Sequence, residues 1–97
     1  MSNGGIAQVT KTVAALNDAT NAMAISGGFN VSIAGTFVAT IELQRSFDGE
    51  SGTYKTVKSY SAPAEEAGEE PTKGQPMYYR LKCTAFTSGS PLLILGM

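Results

Sequence analysis

The stretch Gly35–Tyr54, GTFVATIELQRSFDGESGTY, decides the reading of this chain. Phe37, Ala39, Ile41 and Leu43 alternate strictly with Val38, Thr40, Glu42 and Gln44. A period of two puts the first set on one face of a β-strand and the second on the other. Asp48-Gly49 follows, and a second β-rich run begins at Tyr54. Gly takes positive φ freely and Asp tolerates it, so the pair predicts a turn between a long strand and a returning one. The inward set Phe37, Ala39, Ile41, Leu43 and Phe47 predicts the central core strand.

Working outward, the N-terminal side holds three further strands. Residues 1–5 read as a flexible arm, and 6–97 as one domain. Ile6–Val13 reads as a strand with Ala7, Val9, Lys11 and Val13 on one face. Residues 14–22 carry turn formers (Asn17, Asp18, Thr20, Asn21) and predict a loop into a short strand at Met23–Ser26. Gly27-Gly28 predicts a turn, and Phe29, Val31 and Ile33 the inward face of the next strand. On the C-terminal side, Tyr54–Ser61 returns with imperfect parity: Tyr54 and Val57 share a face only across a bulge. Residues 62–76, with three prolines and the acidic run Glu65, Glu66, Glu69, Glu70, read as a loop. Met77–Phe86 alternates again, Tyr79, Leu81, Cys83 and Ala85 inward. A turn at Thr87–Ser90 and a last strand at Pro91–Leu95 complete the chain. Roughly six to eight short strands with regular turn signals predict an all-β fold, a single antiparallel β-sandwich of immunoglobulin, fibronectin type III or related Greek-key kind. The tryptophan expected on the central strand of the first two is missing, since the chain has none.

The bulk composition narrows the functions. At 97 residues there is room for one modest core. Hydrophobic residues make up 42% but charged residues 15%, against about a quarter charged in an ordinary globular chain. Part of the surface is therefore expected to face protein. Net charge is −1 and the isoelectric point about 5.2, which offers no basic footprint for nucleic acid. No run reaches membrane-spanning length, and MSNGGIAQVT lacks the charged and apolar regions of a signal peptide. With no histidine and one cysteine, the common general base and every Ser-His or Cys-His arrangement are missing, and no cofactor or metal site is expected. The sequence predicts a protein that is not an enzyme.

Each polar cluster has a plain structural reading beside the chemical one. Arg45 continues the inward face after Leu43, as a ligand-binding arginine or as a strand-end arginine stacked on Tyr or paired with Asp48 or Glu42. Asp48, Glu50 and Ser51 lack calcium-loop spacing and read as a turn. The glutamate run reads as a solvated loop and less readily as a cation or basic-partner site. Cys83 reads as a small core hydrophobe. Tyr54, Tyr60, Tyr78 and Tyr79 form either a sugar-stacking platform or core and corner residues, with Tyr79 favoured by parity for the corner. Leu92-Leu93-Ile94-Leu95 is apolar on both parities, and at a chain end it predicts a greasy edge strand available for association. The protein-interface candidates are Ile6, Val9, Val13, Arg45, Asp48, Leu92, Ile94 and Leu95.

The phrases LQRSFDGESGTY, AEEAGEEPTKG and YYRLKCTAFTSGS, followed by an apolar ending, resemble a group of small β-rich virion proteins of tailed bacteriophages. In that group an LxRSFDGG phrase precedes a YRLxCxxYTSG phrase near the C-terminus. The resemblance covers residues 29–97. Glu50-Ser51 widens the Gly-Gly turn, and Tyr54 stands where the group tends to have tryptophan. The resemblance implies a structural virion protein, foremost a capsid decoration (cement) protein. It would bind the major capsid protein through edge strands and terminal arms, as a dimer or trimer on the capsid surface. A minor tail or neck component, or a carbohydrate-binding adhesin module, is the alternative.

Overall fold

The structure is a computed structural model and describes residues 8–50, 52–71 and 75–97. Eight strands follow in order: β1 Gln8–Thr12, β2 Met23–Ile25, β3 Gly27–Ala34, β4 Phe37–Ser46, β5 Lys55–Tyr60, β6 Ala64–Glu70, β7 Met77–Gly89 and β8 Leu92–Gly96. They form two four-stranded antiparallel sheets, β1-β8-β3-β6 and β2-β7-β4-β5. The thin dimension of the Cα trace is 18 Å, which accommodates two sheets packed about 10 Å apart. The protein is an all-β sandwich, as the alternation predicts.

The pairing identifies the kind of sandwich. β1 pairs with β8, β2 with β7, β3 with β6 and β4 with β5. The chain is thus one long antiparallel ribbon folded at the β4–β5 turn and wrapped over itself, with β8 meeting β3 and β7 meeting β4 where the wrap closes. Eight strands in this order make a double Greek-key jelly roll. In the immunoglobulin order the last strand would join the sheet of its predecessor; here β8 crosses to the opposite sheet. Of the predicted kinds of sandwich, the structure is the related Greek key.

Inward parity supplies the core. Phe29, Val31, Ile33, Leu93 and Leu95 from one sheet meet Ile25, Ile41, Leu43, Met77, Tyr79, Leu81 and Cys83 from the other, all buried. Phe37 and Ala39 lie half-buried at its margin. β5 has its bulge at Val57: Leu43 faces Lys58 while Gln44 faces Thr56, which leaves Val57 unmatched and exposed.

Several expectations need correction. Gly27-Gly28 opens β3 instead of forming a turn, with Gly27 at φ 93° as the chain leaves β2 for the other sheet. β7 runs on through Ser88 to Gly89, so the turn shifts to Ser90-Pro91. Gly89 has φ 97°, and a Cβ there would collide with the Thr36 carbonyl and Phe37. The acidic run is not a loop: Ala64–Glu70 is strand β6. Its partner explains why the pattern hides it. Phe29 pairs with Gly68, and a Cβ on Gly68 would stand 2.6 Å from the Phe29 ring. Phe29 thus lies over a bare backbone position and covers it, so β6 needs few apolar residues of its own. Finally, β8 is an interior strand between β1 and β3, not an edge.

Candidate interaction surface

The β4–β5 turn accounts residue by residue for the phrase Arg-Ser-Phe-Asp-Gly. β4 ends at Ser46, whose buried hydroxyl accepts from the backbone N–H groups of Gly49 (3.0 Å) and Asp48 (3.2 Å). Asp48 Oδ1 accepts from Glu50 N (3.0 Å) and from the Thr53 hydroxyl (2.6 Å). Thr53 N in turn donates to the Glu50 carbonyl at 3.1 Å. The Thr53 hydroxyl, followed by the Glu50 N–H, holds the Asp48 carboxyl below its ordinary value. Gly49 takes φ 78° against the face of Tyr78. Asp48, an expected interface residue, is committed to building the turn.

Phe47 sits between these fixed neighbours and is 70% exposed. Even spacing after Leu43 and Arg45 predicts it in the core; the strand stops one residue earlier, and the alternation stops with it. Beside it a groove of about 280 Å³ is lined by Arg45, Lys55, Val57 and Met77. The Arg45 guanidinium carbon lies 5.8 Å from the Phe47 ring centre. A rigidly held, exposed aromatic is the usual form of a protein-interface anchor.

Arg45 itself is engaged below the turn. Its Nε and Nη2 donate to Glu70 Oε1 (2.6 Å) and Oε2 (2.9 Å), and the Tyr79 hydroxyl donates to Glu70 Oε1 at 2.7 Å. Glu70 is 2% exposed. The sequence offers Arg45 a Tyr to stack on or Asp48 or Glu42 to pair with, and Glu70 a solvated loop; the structure instead pairs Arg45 and Glu70 with each other. The bidentate pair raises the Arg45 pKa, while burial and then Glu70 push Tyr79 up to about 12. A second cluster lies further along the same side. Lys58 Nζ meets Glu66 at 2.6 Å, the Tyr60 hydroxyl donates to Glu66 at 2.9 Å, and Lys58 lies 5.4 Å over the Tyr60 ring. The Lys58 ammonium, followed by the Tyr60 hydroxyl, lowers the Glu66 pKa. Both clusters tie β6 to the opposite sheet across a cleft of about 300 Å³ floored by Phe29, Val31 and Leu43.

The two outer faces differ in charge. Over β2-β7-β4-β5, Thr56 and Gln44 donate to Glu42, Arg80 donates to Gln44, and the Arg80 guanidinium stacks 3.9 Å from the Tyr54 ring. Over β1-β8-β3-β6 the registered rows read Thr12–Leu92–Ala34, Thr10–Ile94–Ser32–Glu65 and Gln8–Gly96–Asn30–Ala67. Among the described residues that face carries no Lys or Arg. Leu92 is 38% exposed and Ile94 partly so.

The remaining expected interface residues separate cleanly. Val9 is half-buried on edge strand β1, and Ile6 lies outside the described residues. Val13 and Leu95 are fully buried, because inward parity points both into the core. The tyrosine platform is not assembled: Tyr60 and Tyr79 are buried and Tyr54 lies beneath Arg80. Cys83 is buried, and burial raises its thiol pKa. Among the described residues, no three His, Cys, Asp or Glu side chains group as metal ligands, and no helix is long and apolar enough to cross a membrane.

The fold and these surfaces define a small jelly roll that displays one anchored aromatic and one sheet face that, among the described residues, lacks Lys and Arg and carries acidic Glu65 only at its β6 margin. No family model, no curated protein and no solved structure matches the chain.

Proposed function

We propose that this protein is a structural component of a tailed-bacteriophage virion, a capsid decoration protein that binds assembled major capsid subunits and stabilises the head. The observation that carries the proposal is the Phe47 turn. The phrase on which the bacteriophage resemblance rests spends Ser46, Asp48 and Gly49 on holding the turn, and the residue left over is an exposed aromatic. Phe47 fills a pocket on the shell, and the flat face around Leu92 and Ile94 lies against it. Charged residues are depleted at the centres of protein interfaces and aromatic residues enriched, which fits both surfaces. Jelly rolls recur in viral capsid domains, an analogy at the level of fold alone.

The test is compositional and then mutational. Quantitative mass spectrometry of purified virions should find the chain at a copy number that scales with the capsid lattice. A handful of copies per particle would move it to the tail or neck. Phe47→Ala should abolish binding to assembled shells while leaving the circular dichroism of the free protein unchanged. Full binding by that variant removes the turn from the interface.

A further inference from the structure

Among the described residues, four strand edges of this sandwich are open: β1 and β6 in one sheet, β2 and β5 in the other. Three are guarded against further pairing. β6 exposes Glu65, Glu66 and Glu69. β5 carries Lys55, Lys58 and the Val57 bulge. β2 is three residues long. Charges, bulges and brevity are the usual protections of an edge. β1, Gln8-Val9-Thr10-Lys11-Thr12, has neither bulge nor proline, and Lys11 is its one charge.

The direction of its backbone groups follows from one hydrogen bond. Val13 N donates to the Pro91 carbonyl at 2.9 Å, toward β8. In an antiparallel pair the N–H and C=O of each residue point to the same side, and successive residues alternate. Val9 and Lys11 therefore bond to β8 like Val13, and Gln8, Thr10 and Thr12 turn their backbone groups to the open edge. β1 is also its own complement. Antiparallel about Thr10, it sets Thr10 against Thr10, Gln8 against Thr12, and Lys11 against Val9. No like charges are opposed. Each outward residue meets an outward residue, so each such pair exchanges two N–H···O bonds. Threonines directly across a strand pair are favourable neighbours.

We infer that two copies of this chain pair antiparallel through their β1 edges, centred on Thr10, joining the two β1-β8-β3-β6 sheets into one. The rows through Thr12–Leu92 and Thr10–Ile94, free of charge from β1 to β3, then run on from one copy into the next. The dimer doubles the flat face. The pairing rests on the edge alone and holds whichever partner that face takes.

Sedimentation velocity on the full chain across a dilution series tests the inference. The wild type should show a boundary at twice its 10.1 kDa mass that dissociates on dilution. Thr10→Pro removes an N–H that points away from β8, a change edge strands tolerate, and should sediment as monomer throughout. Cysteine cross-linking fixes the register. Thr10→Cys faces its own copy with Cα atoms about 5.5 Å apart, within disulfide reach, and should oxidise quantitatively to a dimer with diamide. Val9→Cys faces Lys11 and should stay monomeric under the same oxidant, the native Cys83 being buried. A wild type that is monomeric at every concentration overturns the inference. So does a Thr10→Pro dimer, or cross-linking of Val9→Cys in preference to Thr10→Cys.

Discussion

The two open sides of the sandwich are closed by different means. Where β5 and β6 face each other, side-chain charge spans the gap: Arg45 to Glu70, Lys58 to Glu66, with Tyr79 and Tyr60 donating to the same carboxylates. Where β1 and β2 face each other, the intervening loop does it with backbone. Asn17 N and Thr20 N donate to the carbonyls of Cys83 and Leu81, Cys83 N donates to Asp18 O, and the Thr20 hydroxyl accepts from Leu81 N. Asp18 holds the loop by accepting from Ala14 N and Ala15 N. A backbone seam depends little on which side chains are present. A charge seam depends on each of them, and on pH.

The largest effect should therefore come from the charge seam. Arg45→Ala leaves Glu70 fully buried with Tyr79 as its remaining donor among the contacts described, and should cost about 3–5 kcal/mol in chemical denaturation. An Arg45→Met, Glu70→Leu double variant should recover much of that, because no charge is left stranded. On the backbone seam, Thr20→Val removes one buried acceptor and should cost about 1–3 kcal/mol. A larger loss for Thr20→Val than for Arg45→Ala would reverse the comparison. Lys58→Ala, at an exposed pair, should cost no more than about 1 kcal/mol.

The response to pH separates the seams further. Tyr79 and Tyr60 are both raised by burial and by their carboxylate partners. A raised phenol stabilises the fold fully below its ordinary 10.0, and that contribution is lost as pH rises, for Tyr79 through about 12. The share of stability that the tyrosines carry should hold to about pH 10 and then fall. Cys83, raised from 9.0 by burial, adds its own alkaline loss, so a Cys83→Ala background isolates the tyrosines. At the acid end Glu66 and Asp18 are both lowered, from 4.5 and 3.8. Their stabilisation is present above those values and lost as pH falls below them, so acid should weaken both seams. Hydrogen exchange should show the β5–β6 side opening first in alkali; uniform opening would dissolve the distinction. The smallest expected effect on stability is Phe47→Ala, within about 0.5 kcal/mol, since the side chain is exposed and off the core.

Sequence pattern reads one of these seams poorly. β3, β4 and β7 are legible because one face of each is apolar and the other polar, and the inward positions Phe29, Ile41, Leu81 and Cys83 are where alternation puts them. β6 is illegible for a physical reason: its core contact is made by Phe29 from the neighbouring strand over Gly68, so its own residues look like solvated acid. Glu70 is the same error at one residue, a carboxylate whose partner lies 25 positions away. Phe47 fails differently. Alternation carries information while a strand lasts, and the Ser46 hydroxyl ends it. The interior place of β8 depends on pairings with β1 and β3 that local pattern does not encode.

The wrapped ribbon also dictates an order of assembly. β4 and β5 are the one pair of consecutive strands that bond to each other among the described residues; every other pairing joins distant parts of the chain. Loop-closure entropy makes distant pairing slow until nearer contacts have shortened the loop. The turn at Ser46–Thr53 is then the hinge from which the chain zips, β3 onto β6, β2 onto β7 and β1 onto β8 last. Loop closure alone predicts that the segment presenting Phe47 becomes native first and the edge strand that would receive a second copy last, an order that φ-values in β4–β5 above those in β1 would bear out.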